Sequence, residues 1–591
     1  MKVDNPAGGR YMRHCLLLTA LMLASSAQVA KAQTTLPNDP KPNNPADCII
    51  SQIDFNDWFE SGTATKDGIV RPADSISFNP TSFCSFYRWS EQMFLWLTSP
   101  VPSRYGSGSH VFDSPVFFSL SPLDATKHRT LIPHSPGGIF NLNVALTQRG
   151  SNGQRVVFDS TGKIHDVVTA EAGPTGKLLI RNAVGQPVEV ERIEAGADGK
   201  ARLLDRQNKP IELQAARGKA PELRDRLGAV HPLQDRAVLV NGIPHILTGS
   251  GAVVDTEQGQ SGGEVLMAQN NSLVYYLLQV NDVWAYFNTG VTDNKFTPQF
   301  SQFPTTGQDL GRITTVAQQA PSPFTKPSFP DGNALAVEVK SAWIETSGLA
   351  HPGDYITITA TIPTFNPPLT QSGLTQSTVS GSKQATLALM GMHVVGTVSG
   401  HPEMIWATFE HVNNAPNAPY TYNNANGTVP GPAPGLGPWN FSATGATSGS
   451  ITKRMDWDPQ SNSITTQNTG STIGPNDVYR VNAWGTASSD LAFANNNTDI
   501  ISINNSVLGQ LLAGDKRRKY ILTGTTWTVG GQPPIANNQV GTPQMANTTM
   551  ETFMQPSNCF SCHRGNMLGS QPSGAFGGGL SHVWQPTKPL F

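Results

Sequence analysis

The sequence predicts a mainly β fold with a few helices (α+β): a large antiparallel β scaffold, an inserted array of β-hairpins, and a short helical segment near the C-terminus. Three observations carry that expectation. Gly (56) and Pro (45) make up about a sixth of the 591 residues while only 14% are charged, which suits turns and short strands better than long helices. In "YITITATIP", Ile356, Ile358, Ala360 and Ile362 alternate with Tyr355, Thr357, Thr359 and Thr361, the two-residue period of a half-buried strand. The runs "LALMGMHVVGTV" and "EMIWATFEHV" flank Ser399-Gly400-His401-Pro402 and read as an antiparallel hairpin.

Residues 1–32 read as a signal peptide. Lys2, Arg10 and Arg13 precede the apolar run from Cys15 to Ala24, and Ala30-Lys31-Ala32 has the small-x-small form of a cleavage site. That run is too short for a membrane span of about 20 residues, and no later stretch offers one. The leader has no twin arginine, so export is expected in the unfolded state, to the periplasm or the cell exterior, with a mature chain beginning near Gln33 and no transmembrane segment. Without the leader 36 basic residues face 41 acidic ones, and no basic surplus points to nucleic acid.

Residues 33–150 are expected to form an N-terminal arm, rich in Pro and Asn, and the start of the main β-rich body. The mature cysteines are Cys48, Cys84, Cys559 and Cys562, an even count for an oxidising compartment, and a Cys48–Cys84 disulfide would tie the arm to the body. The first strong helix is expected with Asn79 as cap and Pro80 at the first helical position. Phe86, Trp89, Met93, Trp96 and Leu97 recur at spacings of three and four until Pro100, a stripe that reads as core.

Residues 151–260 differ in composition, with 28 charged residues in 110 and no Trp or Tyr. "RVVFDSTGKIHDV", "LLIRNAVGQPVEV" and "RLLDRQNKPIEL" place Gly162, Gly185 and Asn208 at a constant separation of 23, and each unit reads strand, turn, strand. Asn241-Gly242 in "AVLVNGIPHIL" adds the strongest short hairpin signal. The segment is read as an inserted, charged β-hairpin repeat region that decorates the body.

The main β-rich body is expected to resume over 261–540. Leu273 to Val280 reads as an apolar strand before a short helix that Asp282 caps, and Leu335, Val337, Val339 and Trp343 alternate with polar positions. Residues 427–438, "GTVPGPAPGLGP", read as a long loop, and "RKYILTGTTWTV" as a further strand. His393, His401 and His411 cluster in the hairpin, where a core or surface imidazole is the default for His393 and His411. Lys516 and Arg517-Arg518 read as a solvated strand edge. No Ser-His-Asp signature, phosphate loop or paired-carboxylate motif stands out.

Residues 541–591 carry the chemistry. Cys559-Phe560-Ser561-Cys562-His563 is the Cys-x-x-Cys-His arrangement of covalent haem attachment: each sulfur adds to one vinyl group of the porphyrin, and the adjacent imidazole becomes an axial ligand of the iron. Random placement of these residue types would yield the motif on the order of 0.001 times in such a chain. A thioredoxin-like dithiol would need a strand immediately before Cys559, and a zinc site would need a further ligand at finger spacing, whereas the next histidine is His582. Thr548 and Glu551 read as a capping box, opening a helix whose Met550, Phe553 and Met554 face the haem edge before Pro556 ends it.

These five residues resemble the attachment motif of the c-type cytochromes, and "GMHVVGTVSGHPEMIWATFEHVNNAP" resembles large periplasmic proteins of the cytochrome c family. The resemblance implies one haem c bound through Cys559 and Cys562, with His563 as axial ligand. It does not imply the small-carrier fold, because the motif stands 28 residues from the end of a mostly β chain. The expected function is electron transfer in the periplasm, with a redox partner protein or a small-molecule donor or acceptor. The alternative is a haem-dependent oxidoreductase, a peroxidase or oxygenase, using the same haem, and a mainly structural haem in a scaffold protein is a third reading. For the sixth iron position His582 is the candidate, since the Gly-rich "GAFGGGL" before it leaves the chain free to wrap a haem edge.

Overall fold

A computed structural model describes residues 34, 36–121, 128–134, 139–142, 144, 156–158, 164–168, 171–172, 178–182, 186–195, 201–211, 222–224, 230–232, 236–240, 243–247, 252–255, 264–435, 437–449, 455–458, 461–466, 470–534, 538–553, 555, 558–563, 580–581, 583–584 and 587–591. The expected leader, Gly162, Gly185, Asn241-Gly242, Met554 and His582 lie outside the described residues, as does the side chain of Cys562.

The body is a mainly antiparallel sheet of 13 strands. Its principal strands are β1 (Phe117–Leu120), β2 (Tyr275–Asn281), β3 (Val337–Glu345), β4 (Thr357–Asn366), β5 (Gln376–Val398), β6 (His401–His411), β7 (Tyr520–Thr528) and β8 (Gln539–Gly541). They pair in the order β1-β2-β3-β5-β6-β7-β8, and β4 pairs with the first half of the 23-residue β5. The expected hairpin is β5–β6, with Val398 opposite His401 and Gly400 at φ +78°, a conformation open to glycine. Alternation holds in β4, where Ile358, Ala360 and Ile362 are buried and Thr359 is exposed.

The helices are α1 (Pro45–Cys48), α2 (Gln52–Asp57), α3 (Phe83–Leu97), α4 (Asp282–Thr292), α5 (Gly307–Gln318), α6 (Phe493–Gln510) and α7 (Cys559–Cys562). On one sheet face α3 and α6 bury the largest apolar cluster. Phe94 stacks on Phe409 at 4.3 Å, and Asn504 of α6 exchanges two hydrogen bonds with the backbone of Leu522. Cys48 is disulfide-bonded to Cys84 in the first turn of α3, with Cα atoms 5.1 Å apart, as expected. The two sulfurs and an Asp499 oxygen lie within 4.8 Å of one another, but bonded sulfurs offer no thiolate to a metal.

The opposite face is divided. At one end α4, α5 and residues 580–591 cover Phe118, Leu278, Val280, Val395, Met404 and Trp406; at the other, Phe441, Val478 and Met550 cover Tyr276, Ile344 and Met390. Between these clusters runs a polar row. Lys340, His393 and Thr408 are direct neighbours across β3, β5 and β6, and Glu551 binds the row from above, 3.0 Å from His393 Nε2 and 3.4 Å from Lys340 Nζ. Against the upward push of desolvation, the neighbouring His393 and Lys340 hold the Glu551 carboxyl down at about 2.

Several local expectations are corrected. Helix α3 begins at Phe83, not after Asn79-Pro80, because the Ser82 amide donates to Ser85 Oγ and Cys84 is fixed by its disulfide. Asn281, not Asp282, caps α4, its Oδ1 accepting from the Trp284 amide at 3.0 Å. Gly427–Pro430 is not loop but pairs with Thr421–Asn424 in a two-stranded ribbon. Lys516–Lys519 is a single 3-10 turn rather than a strand edge, and Arg517 is buried against Asp515 at 2.6 Å. Residues 548–553 form turns, not a helix: Asn547 Oδ1 accepts from the Thr549 amide, and Glu551 reaches back to the Asn547 amide at 2.9 Å. Met550 and Phe553 consequently pack in the cluster beyond the polar row, away from Phe560.

The strands of 156–255 pair among themselves in sheets of seven, three and two strands. Arg236–Val240 pairs antiparallel with Ile243–Leu247, and Asn208 turns at φ +60°. The seven-stranded sheet goes beyond sequential hairpins, since Ile164–Val168 pairs in parallel with Arg236–Val240.

Candidate functional site

Helix α7 is a single turn that places positions 559 and 562 one turn apart, with His563 directly after it. The Cys559 amide donates to Pro543 O at 3.2 Å and the His563 amide to Cys559 O at 2.9 Å, so the motif is anchored to the segment following β8. Phe560 is buried edge-on to Trp406 at 6.1 Å, and Cys559 is half-buried against the same apolar cluster.

The imidazole of His563 is fixed on two sides. Its ring packs on Trp406 with centroids 4.3 Å apart, and Nδ1 lies 3.0 Å from Leu580 O. A carbonyl only accepts, so this hydrogen bond puts the proton on Nδ1 and the lone pair of the neutral ring on Nε2. That is the tautomer an iron ligand requires, and Trp406 belongs to an apolar, aromatic cluster that also holds Phe560, Met404, Met545, Leu580, Val583 and Trp584. The donor types and the tautomer fit a covalently attached haem.

The chain after Leu580 is held against α4. Trp584 meets Trp284 edge-on at 5.0 Å, Asn288 Nδ2 donates to Trp584 O at 3.3 Å, and the Leu590 amide donates to Thr289 Oγ1 at 2.9 Å. Arg129 supports the same tail, accepting from the Lys588 amide through its carbonyl and donating to Ser121 O, while burial pulls its guanidinium down to about 10. At the base of the tail Glu338 of β3 receives two donors on one oxygen: Trp284 Nε1 at 2.7 Å and Ser581 Oγ at 2.6 Å. Burial pushes Glu338 up to about 7, opposed by those two hydrogen bonds.

The structure brings Cys559 and His563 together with the buried residues Leu580, Ser581 and Val583 that flank position 582. It does not bring the hairpin histidines there. His393 belongs to the polar row, His401 binds Glu403 at 2.8 Å and packs on Phe86 of α3, and His411 stacks on Tyr355, where burial drives it down to about 3. The basic turn Lys516–Lys519 lines a separate cavity of about 360 Å³ with Gly353, Asp354 and Gly514, at the end of β7 remote from Trp406.

Three residues of the site carry no flag in the sequence. Glu338 reads as an ordinary polar position of an alternating strand and Trp406 as an ordinary core aromatic. Met404 is buried at φ +67°, where the β5–β6 register shifts, and a β-bulge there leaves only a faint trace in a sequence. No family model, curated protein or solved structure matches this chain.

Proposed function

We propose that this chain is an exported single-haem c-type cytochrome that transfers electrons in the periplasm, its haem c attached through Cys559 and Cys562 with His563 as axial ligand. One observation carries the reading: the Cys-x-x-Cys-His sequence coincides with an imidazole whose Nδ1 donates to Leu580 O at 3.0 Å, leaving the lone pair on Nε2. Haem iron, when bound, supplies a one-electron couple whose potential follows from its ligands and surroundings.

The chain's own residues have defined tasks in this account. Leu580 O orients the imidazole and strengthens it as a donor, and Trp406 blocks its rotation. Phe560, Leu580, Val583 and Trp584 exclude water, which favours the less charged reduced state and raises the potential. The leader at 1–32 supports export, and among the described residues no helix is long and apolar enough to cross a membrane. The partner is a redox protein or a small donor or acceptor, and His582 is the candidate for the sixth position.

Absorption spectra of the purified mature protein, oxidised and reduced, with and without carbon monoxide, test this function. An electron carrier gives a low-spin spectrum that carbon monoxide leaves unchanged. A high-spin iron that binds carbon monoxide replaces the carrier by the peroxidase or oxygenase reading, and a protein without haem removes both.

A further inference from the structure

We infer that Glu338 is a positioning residue for the axial imidazole: by holding Ser581 it fixes the carbonyl of Leu580 that orients His563. The inference rests on the haem reading above and concerns how this chain sets the strength of its own ligand.

The chain of contacts is continuous. Trp284 Nε1 and Ser581 Oγ both donate to Glu338 Oε1, at 2.7 and 2.6 Å; Ser581 is bonded directly to Leu580; and Leu580 O lies 3.0 Å from His563 Nδ1. Each partner sits on a rigid element. Glu338 is the second residue of β3, hydrogen-bonded into the sheet between Val280 of β2 and Val395 of β5, and Trp284 is fully buried in α4. Ser581 and Leu580 are each 1% exposed, so their turn has no water to satisfy it if the anchor is lost. A hydroxyl bound to a carboxylate is among the stronger hydrogen bonds a neutral donor makes, and here it ties the tail to the sheet beside Leu580.

A conventional reading makes Glu338 a buried acid whose two donors merely satisfy it. Its placement does more than that, because the residue it holds is covalently next to the carbonyl that meets the imidazole Nδ1. A carbonyl fixed on Nδ1–H makes the imidazole a better donor and favours the ferric state. Releasing that carbonyl weakens the preference; loss of such partners of metal-binding histidines typically costs 10- to 100-fold in metal affinity or activity, and the low end of that range is taken for the redox equilibrium.

The test compares Glu338→Gln, which retains an acceptor oxygen for Trp284 and Ser581, with Glu338→Leu, which removes it, in the full-length haem-loaded protein. Haem content is measured first by pyridine haemochrome. A wild-type protein without haem defeats the functional proposal before this one is reached. With haem present in all three proteins, Glu338→Leu is expected to weaken the ferric preference at least tenfold, a rise in reduction potential of about 59 mV for a one-electron couple. Glu338→Gln is expected to restore most of it. An unchanged potential in Glu338→Leu overturns the inference. So does an equal shift in both variants, which assigns the effect to lost charge rather than to anchoring. If Glu338→Leu does not fold, Ser581→Ala removes the other end of the same contact and is expected to raise the potential in the same direction; no shift in that variant is equally fatal.

Discussion

Replacing Glu91 by Gln should leave stability little changed near pH 4.5 and raise it progressively above that pH. Glu91 lies on α3 at 2% exposure, its Oε1 without a hydrogen-bond partner among the described residues, and burial alone pushes its carboxyl from 4.5 up to about 8. The folded state therefore keeps this proton to about pH 8, whereas the unfolded chain releases it near 4.5. The contribution of the group is fully present below 4.5 and is lost as pH rises through 8, at about 1.4 kcal/mol per pH unit and on the order of 5 kcal/mol over the window. Glutamine matches the shape of the protonated acid and does not titrate. The difference in unfolding free energy between variant and wild type should accordingly grow by about 1.4 kcal/mol per unit from about pH 5 to about pH 8, then level off. Urea transitions followed by tryptophan fluorescence at four or five pH values measure it. Asp499, raised to about 7 by burial, titrates in both proteins and cancels in the difference. A difference that stays constant across that range would refute the reasoning.

Removing the Cys48–Cys84 bond with a double alanine variant should cost about 4 kcal/mol, because the disulfide closes a loop with a sequence separation of 36; equal urea midpoints would contradict this. Arg480→Ala should cost 3–5 kcal/mol, roughly, since it leaves Glu410 as an uncompensated charge, both residues being fully buried at 2.6 Å. Replacing Arg480 and Glu410 together by Met should recover part of that loss in the same assay, and a double variant no better than the single one argues against the account. Exchanging residues 151–250 for a short Gly/Ser linker should leave haem content and Soret band unchanged, because among the described residues the strands of 156–255 pair with one another and not with the main sheet; a displaced Soret band in a soluble variant would assign the segment to the site.

The sheet was legible wherever one face of a strand meets solvent, because only there does burial impose a two-residue alternation. Strand β4 shows it in Ile358, Ala360 and Ile362. It fades in β3, the second half of β5 and β6, buried on both faces, where the polar positions Lys340, His393 and Thr408 are spent on a row that binds Glu551 rather than on water. The turns at 548–553 carry a helix signal in the sequence for a related reason. Thr548 and Glu551 have capping-box spacing, but Glu551 is drawn to His393 and Lys340 while Thr548 donates its amide to Glu410 at 2.8 Å, partners supplied only by the folded sheet. In the candidate site the Cys-x-x-Cys-His motif could be seen because its residues are adjacent in the chain. Leu580, Glu338 and Trp406 could not, because the sheet and the returning tail bring them to His563 from sequence distances no local pattern spans.

The most direct test of the central claim is whether haem is bonded to Cys559 and Cys562. Mature wild-type protein, matured in a host with cytochrome c assembly machinery, should retain its haem through acid-acetone extraction, and the Cys559→Ala, Cys562→Ala double variant should lose it. A wild-type protein stripped of haem by that extraction, or a double variant that keeps it, contradicts the account.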